Sequence, residues 1–246
     1  MEFIFDQDII DLLGCRQVVD VRSELPINPN YSWAQLAGVR SVDALTTIVY
    51  HHDALVSWRT STQSDAQLMS NIAKSHIALK SNDPKGDAGF PYHIWIRGGT
   101  AYYCNTLTDR TYGVASNNGY TVHVCVSGDY TQDKLSDADR VLLQAVSIQL
   151  ARQLPKCSAI KAHSELNPTA CPAYDYANIR AEVETLKHRL AQASQWDAQL
   201  VEVNKLTNQI AYMTSLLVAG ESDGNAQWAK NWLLDVAKIM KERKLL

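Results

Sequence analysis

The sequence predicts an α/β protein with a separate helical segment at its C-terminus. Short runs rich in β-branched residues alternate with amphipathic helical stretches over the first 175 residues. From residue 176 onward this alternation disappears, and apolar residues recur at helical spacing among mixed charges. A chain of 246 residues can bury one sizeable core and still carry an accessory segment. We therefore expect one domain at 1–175 and a helical segment at 176–246.

The first elements follow from short local patterns. Residues 6–13 carry apolar side chains at helical spacing and are followed by Gly14, which is typical of a helix that ends at a glycine. A strand is expected at 18–21. The segment 44–50 is rich in Thr, Ile and Val, which predicts a second strand that leads directly into His51.

The middle of the chain combines capped helices with a hairpin. Ser64 and Ser136 are each followed by amphipathic stretches, and both are good helix N-caps. A Gly-Gly pair separates two alternating runs, as in a tight β-hairpin. The expected elements are a helix over 64–80, a loop at 81–89, hairpin strands at 92–97 and 100–104, a strand at 121–126 and a helix over 136–154.

The C-terminal segment begins as a coiled-coil seam. Its first apolar residues step by 4, 3, 4 and 3 positions, and later ones continue in a shifted phase to Leu217. This pattern predicts a long helix or a helical hairpin, interrupted at 220–224 and followed by an amphipathic helix over 225–246. Such a segment either packs on the first domain or mediates self-association or attachment to a surface. The seam consists of Ile179, Val183, Leu186, Leu190 and Ala193.

Charge and cysteine content restrict the class of protein. The formal net charge of -3 offers no basic surface of the kind that favours nucleic acid. Acidic residues interrupt the first fourteen positions, unlike a secretory signal, and no apolar run is long enough to span a membrane. We therefore expect synthesis in the cytoplasm. Five scattered cysteines in a reducing compartment predict buried thiols or a metal ligand instead of a disulfide framework.

His163 and Cys171 lie eight positions apart in a loop whose Pro168 and Pro172 restrict the backbone. An imidazole and a thiolate are both good zinc donors, and a third protein ligand with one open position would form a catalytic site. His51, at a strand end, is the candidate third ligand. A histidine in that position is more often a surface or hydrogen-bonded residue, so the spacing alone does not establish a site.

Four ordered segments resemble type-2 N-acetylmuramoyl-L-alanine amidases, a family that includes phage endolysins and is similar to the peptidoglycan recognition proteins. The resemblance covers roughly residues 15–175. It implies a mixed central β-sheet flanked by helices, and a Zn²⁺-dependent hydrolase that cleaves the amide between N-acetylmuramic acid and L-alanine in peptidoglycan. The segments are Ile48-Val49-Tyr50-His51-His52-Asp53-Ala54, Pro91-Tyr92-His93-Ile94-Trp95-Ile96, 118–128 and 163–172.

The resemblance also assigns roles to individual residues. His51, His163 and Cys171 match the family's zinc ligands. Tyr92 matches a tyrosine that stabilises the developing oxyanion, with packing as a core aromatic as the alternative. Thr169 matches a position, occupied by Lys or Thr, near the scissile carbonyl. His52 is expected to point to the other side of the strand as a packing residue, because successive strand side chains alternate.

The sequence departs from the family pattern at three positions. Cys125 falls where some branches carry a catalytic glutamate, His123 stands where glycine is common, and Ala173 replaces the glycine of Cys-Pro-Gly. The zinc ligands are unaffected, but the group that transfers protons is left open. The candidates are Glu165, His93 and a metal-activated water acting with Tyr92.

Two rival functions remain from the sequence. The first is a peptidoglycan-binding protein without catalysis, since relatives of this fold bind muropeptides after losing a zinc ligand. The second is a cysteine peptidase that uses Cys171 or Cys104 with a histidine. The proline after Cys171, and the lack of a helix N-terminus signal at either cysteine, disfavour the peptidase.

Overall fold

A computed structural model describes residues 2–79, 83–218 and 224–242. The chain forms two compact units, Met1–His188 and Arg189–Leu246. The predicted division into domains at 1–175 and 176–246 remains a proposal. Of the helices in the described ranges, none combines the length and apolar character that a membrane span requires.

A six-stranded mixed sheet forms the centre of the first unit, in the order β1-β4-β3-β5-β2-β6. Only the β3–β4 hairpin is antiparallel, and every other neighbouring pair is parallel. The α/β class with a mixed sheet is therefore confirmed. The strands are β1 (Val19–Asp20), β2 (Thr47–His52), β3 (Ile94–Arg97), β4 (Thr100–Tyr103), β5 (Thr121–Val126) and β6 (Ala159–Ala162).

Helices cover the sheet and continue into the second unit. Ser64 and Ser136 cap two of them, and each hydroxyl accepts a hydrogen bond from a backbone N–H of the first turn, as predicted. The helices are α1 (Gln7–Leu13), α2 (Trp33–Ala37), α3 (Ser57–Thr60), α4 (Asp65–Ala78), α5 (Asp137–Gln153), α6 (Tyr176–Val218) and α7 (Gly224–Glu242).

The two faces of the sheet bury different partners. On one face, Tyr50 of β2 places its hydroxyl 2.6 Å from Ser147 Oγ of α5. On the other face, Leu68 and Met69 of α4 share a hydrophobic cluster with Trp95 and Cys125. Alternation along β2 therefore turns neighbouring residues toward different layers.

Most predicted elements are confirmed, with shifted ends. The helix before Gly14, the hairpin and the strand at 121–126 are all present, and Gly14 has a φ of 63°. The predicted strand at 44–50 instead spans Thr47–His52, because Val42–Ala44 form a 3₁₀ turn. Helix α4 ends at Ala78, and Lys80 to Asn82 lie outside the described residues. The helices α2 and α3 and the strand β6 were not predicted from the sequence.

The described residues of the C-terminal segment, 176–218 and 224–242, are helical, as predicted. Helix α6 is one continuous helix of 43 residues, and its beginning belongs to the first unit, where Ile179 and Val183 are buried. Later on α6, Trp196 and Leu200 are exposed. The predicted interruption falls largely at 219–223, outside the described residues, and the side chains of Leu217, Ile239 and Met240 are not described either.

Candidate metal centre

Three donor side chains meet at the carboxyl ends of neighbouring parallel strands. His51 lies near the end of β2, and β6 runs beside β2 and leads into the 3₁₀ turn His163–Glu165. Cys171 follows in the next loop, and its carbonyl accepts a 2.9 Å hydrogen bond from Ser164 N–H. The ligand atoms of His51, His163 and Cys171 all lie within 4.8 Å of one another. The fold thus brings together the three residues that the sequence singled out.

His51 is buried, and its two ring nitrogens face different partners. Nδ1 lies 3.9 Å from Cys171 Sγ, whereas Nε2 lies 3.1 Å from Nδ1 of His123. Burial lowers the pKa of His51 well below its ordinary value, and the neighbouring His123 and His163 add to the effect. The imidazole is therefore neutral, as a metal ligand must be.

Cys171 is held by its backbone surroundings. Its sulfur accepts a 3.3 Å hydrogen bond from the His52 N–H, and burial raises the pKa of the thiol to about 11. His163 is half-buried, and burial lowers its pKa as well. Without a bound cation the site therefore carries a thiol and two neutral imidazoles.

The three donors fit a zinc ion. Tetrahedral zinc with bonds of about 2.0–2.3 Å keeps nitrogen and sulfur ligands about 3.3–3.6 Å apart. The 3.9 Å between His51 Nδ1 and Cys171 Sγ is close to this value, and the other separations, at up to 4.8 Å, exceed it by no more than about 1.5 Å. Two imidazoles and one thiol are the chemistry that zinc prefers, and three ligands leave one position open.

Tyr92 lies beside this cluster. Its ring centroid is 5.3 Å from that of His51, and the nearby Cys125 thiol contributes to the electrostatic surroundings of its hydroxyl. Burial raises the pKa of Tyr92 well above its ordinary value, so the phenol keeps its proton. Cys125 is opposite His51 on β5, and burial likewise raises its thiol pKa. The position that carries a glutamate in some amidases is therefore occupied by a neutral thiol.

Thr169 is exposed and stabilises the cysteine loop. Its hydroxyl accepts a 3.2 Å hydrogen bond from the Cys171 N–H, which leaves the hydroxyl hydrogen free to be donated elsewhere. His52 faces the opposite side of the sheet, as predicted. Its Nδ1 accepts from Tyr130 N–H at 3.4 Å, and its ring stacks on that tyrosine.

Two of the proposed proton-transfer groups are occupied elsewhere. Glu165 accepts a 2.7 Å hydrogen bond from Ala162 N–H and pairs with Arg180 at 3.1 Å. Burial opposes the charge, but these contacts outweigh it and lower the pKa of Glu165. His93 is buried, with Nδ1 accepting from His123 N–H at 3.0 Å and Nε2 lying 2.9 Å from the Asp109 carbonyl oxygen. Neither side chain is therefore free to exchange protons with a substrate.

An open cleft of about 410 Å³ extends from Tyr92. Asp53 also lines this cleft, but its carboxylate accepts hydrogen bonds from Trp95 Nε1 at 3.1 Å and from Gly128 N–H at 2.9 Å. Burial raises the pKa of Asp53 despite these contacts. Asp53 thus anchors two loops at the edge of the cleft.

His123 is the main residue of the site whose role the sequence did not reveal. The sequence marked His123 only as a histidine at a position where the amidase family commonly has glycine. His51, which it contacts, is 72 positions away along the chain. Behind it, the His93 ring stacks at 5.4 Å, and the buried Arg40 lies 3.0 Å from His93 Nε2. The Arg40 guanidinium also donates to the backbone carbonyls of Leu107, Asp109, Asn118 and Thr121.

Solved structures share this fold, although no protein-family model and no curated protein matches the chain. The endolysin N-acetylmuramoyl-L-alanine amidase LysCS from Clostridium intestinale URNW is 20% identical, with a TM-score of 0.52 over 69% of this chain and 97% of that chain. The amidase LysC from the same organism is 20% identical, with a TM-score of 0.52 over 69% and 98% of the two chains. Drosophila peptidoglycan recognition protein SD is 17% identical, with a TM-score of 0.50 over 63% and 88%. The chain therefore has the fold shared by type-2 amidases and peptidoglycan recognition proteins.

Proposed function

We propose that this chain, with its type-2 amidase fold, is a zinc-dependent peptidoglycan hydrolase. It cleaves the amide between N-acetylmuramic acid and L-alanine and acts as an endolysin on the bacterial cell wall. The observation that carries the proposal is the convergence of His51, His163 and Cys171. Tyr92, whose ring lies 5.3 Å from that of His51, lines an open cleft. The resemblance of four ordered segments to the amidase family supports the choice of substrate.

Zinc, when bound by these three residues, polarises the scissile carbonyl and activates water for attack. The protein contributes the surroundings of the reacting amide. His51 and His163 are neutral and Cys171 supplies one negative charge, so the three ligands reduce the charge of the ion only to about +1. The site therefore keeps a net positive charge for the developing oxyanion.

Tyr92 is the residue best suited to stabilise that oxyanion. Its raised pKa keeps the phenol protonated, so it can donate a hydrogen bond. The phenol proton must be directed toward the carbonyl oxygen of the substrate and away from the neighbouring Cys125 thiol. Thr169 has a free hydroxyl hydrogen and is the second donor, weaker than a lysine because it carries no charge.

The leaving amine needs a proton, and the described residues favour Tyr92 with water for this step. Glu165 and His93 are held by other partners, and Cys125 is a buried thiol that also contacts the Val126 carbonyl. We therefore assign proton delivery to the Tyr92 hydroxyl and a water molecule in the cleft.

Metal analysis combined with digestion of isolated cell walls tests the proposal. Purified protein is expected to contain about one zinc per chain, and a chelator should stop the release of peptides with free L-alanine amino termini. The variants Cys171→Ser and His163→Ala should lose zinc and activity, whereas Cys15→Ser is the matched cysteine control. Full zinc content and full activity in Cys171→Ser would show that the ligand assignment is wrong.

The alternative is a protein that binds peptidoglycan without cleaving it. The thiol at position 125, where some amidases carry a glutamate, favours this possibility. Sedimentation with insoluble cell walls, without new amino termini in the supernatant, would identify such a protein. A cysteine peptidase is disfavoured, because burial raises the pKa of both Cys104 and Cys171 and keeps them as poorly nucleophilic thiols.

The helical C-terminal segment is proposed to mediate self-association or attachment to the wall. It contributes exposed apolar side chains at Trp196, Leu200 and Val203 on α6. Light scattering should give a mass that is a multiple of 27.4 kDa if the segment self-associates. Leu200→Glu should then reduce the mass to that of one chain. A single-chain mass, and wall binding unchanged in Leu200→Glu, would contradict both roles.

A further inference from the structure

His123 is a buried side chain directly behind the metal-facing histidine. It lies on β5, which pairs in parallel with β2 so that Val49 faces His123 and His51 faces Cys125. His123 and His51 therefore project from the same face of the sheet, offset by two residues. Their rings meet edge to face with centroids 5.1 Å apart, and Nε2 of His51 lies 3.1 Å from Nδ1 of His123.

The hydrogen-bond network determines which nitrogen carries each proton. His51 directs Nδ1 toward Cys171 Sγ, so a cation bound there takes the Nδ1 lone pair and the proton must be on Nε2. Nδ1 of His123 then accepts that proton. Its own Nε2–H points to Thr121 Oγ1 at 3.3 Å, and this hydroxyl donates to the Asn117 carbonyl at 3.0 Å. The chain of donors thus runs in one direction, from the metal site to the backbone.

The surroundings leave little room for the His123 ring to move. A Cβ atom added at Gly113 would lie 2.8 Å from His123 Nδ1 and 2.9 Å from Cε1, so only glycine fits against the ring. On its other side the ring stacks on that of His93. Nδ1 of His93 accepts a hydrogen bond from the backbone N–H of His123. The acceptor that His51 meets is therefore held in place before any metal binds.

We propose that His123 is a positioning residue for the metal centre: its Nδ1 accepts the Nε2–H of His51 and so holds Nδ1 of His51 toward the zinc. The inference rests on the proposed zinc site and extends it to a residue outside the ligand set. Hydrogen bonds of this kind orient a histidine ligand and raise its basicity, and their loss costs about 10- to 100-fold in metal affinity. The His51 and His123 rings are both buried, so there is no space for a water molecule to take the place of His123 Nδ1 as the acceptor.

Two variants of nearly equal shape separate the hydrogen bond from packing. In His123→Asn, the side-chain oxygen can take the place of Nδ1 and accept from His51. In His123→Leu, a methyl group occupies that place and accepts nothing. Zinc affinity is measured by competition with a chromophoric chelator, and the unfolding midpoint of the zinc-free protein is recorded for each. We expect the Asn variant to stay within about threefold of the original chain and the Leu variant to bind zinc about 10- to 100-fold more weakly.

A second measurement needs no substitution and covers the case in which the Leu variant does not fold. Nitrogen-15 NMR of the zinc-loaded protein reports which nitrogen of His51 carries the proton. The proposal expects a protonated Nε2 with a coupling across the hydrogen bond to Nδ1 of His123. A protonated Nδ1 on His51 would overturn it.

The outcomes distinguish this inference from the proposed function. If the original chain binds zinc and the Asn and Leu variants bind it equally well, the positioning role is wrong and the metal centre stands. If the original chain takes up no zinc, the metal centre and the positioning role both fall. A weaker Leu variant with an unchanged unfolding midpoint supports the positioning role, because a packing defect would lower both quantities.

Discussion

Zinc binding at pH 6.0 should release fewer protons per chain than a site with ordinary histidines would, and one of them comes from Cys171. Its pKa is raised to about 11, so the thiol is protonated over the whole neutral range and must ionise to bind the metal. Burial lowers the pKa of His163 and lowers that of His51 well below its ordinary value, so these ligands carry fewer protons at pH 6.0 than ordinary histidines do. The thiol is therefore the main source of the released protons.

The number of protons released on zinc binding depends on these shifts in the pKa of the three ligands. A histidine with the ordinary pKa of about 6.5 is about three-quarters protonated at pH 6.0, so two such ligands and a thiol would release about 2.5 protons. The buried site should instead release between about one and 2.5 protons, and its apparent affinity for zinc should rise about tenfold for each pH unit once both histidines are neutral. An activated water with a pKa near 7 adds only about a tenth of a proton at pH 6.0.

Titration calorimetry in buffers of different ionisation enthalpy measures the proton count directly. Cys171→Asp is the matched control, because a carboxylate can still bind zinc but is already ionised at pH 6.0. The release should fall by about one proton in this variant. A count near 2.5 in the original chain would refute the argument that burial keeps the histidines neutral. A count near zero would refute the assignment of the Cys171 thiol as a ligand.

Two further predictions concern the stability of the domain that holds the site. Gly86→Ala should destabilise the protein by more than about 3 kcal/mol in urea unfolding, because the new Cβ would lie 1.7 Å from the Ile77 carbonyl oxygen at a φ of +87°. In Gly14→Ala no atom lies within 4 Å of the new Cβ, so the loss of stability should come only from the left-handed backbone conformation and amount to about 1–2 kcal/mol. Equal losses of stability in the two variants would contradict the predicted clash at Gly86. Tyr50→Phe should cost about 1 kcal/mol, since the Ser147 hydroxyl keeps its 2.6 Å bond to the Leu143 carbonyl. Ser147→Ala should cost more, because it leaves the buried Tyr50 hydroxyl without its acceptor, and the reverse order would refute this assignment.

Elements with strong local signals could be predicted from the sequence. The strand at 121–126, the hairpin around Gly98 and the caps at Ser64 and Ser136 depend on residues within a few positions of one another. The strand β6 has only four residues and lacks clear alternation, so its position follows from pairing with β2. A short strand of this kind gains its stability from the sheet, which no local pattern records.

The candidate ligands were likewise chosen from residue types and family resemblance, but the sequence could not predict their surroundings. Glu165 and His93 remained candidates for proton transfer until the contacts to Arg180 and to Asp109 were known. These partners are 15 and 16 positions away along the chain, beyond the range of a helical or strand repeat. Tertiary contacts therefore determine whether Glu165 and His93 can take part in proton transfer.

The sequence by itself determined the α/β class, the helical C-terminus, and the donor types at His51, His163 and Cys171, because these follow from local periodicity and from the chemistry of single side chains. Only the tertiary structure decided that Nδ1 of His123 lies 3.1 Å from Nε2 of His51. Parallel pairing of β2 with β5 sets a register across 72 residues of chain, and a shift of one position would turn His123 to the opposite face of the sheet.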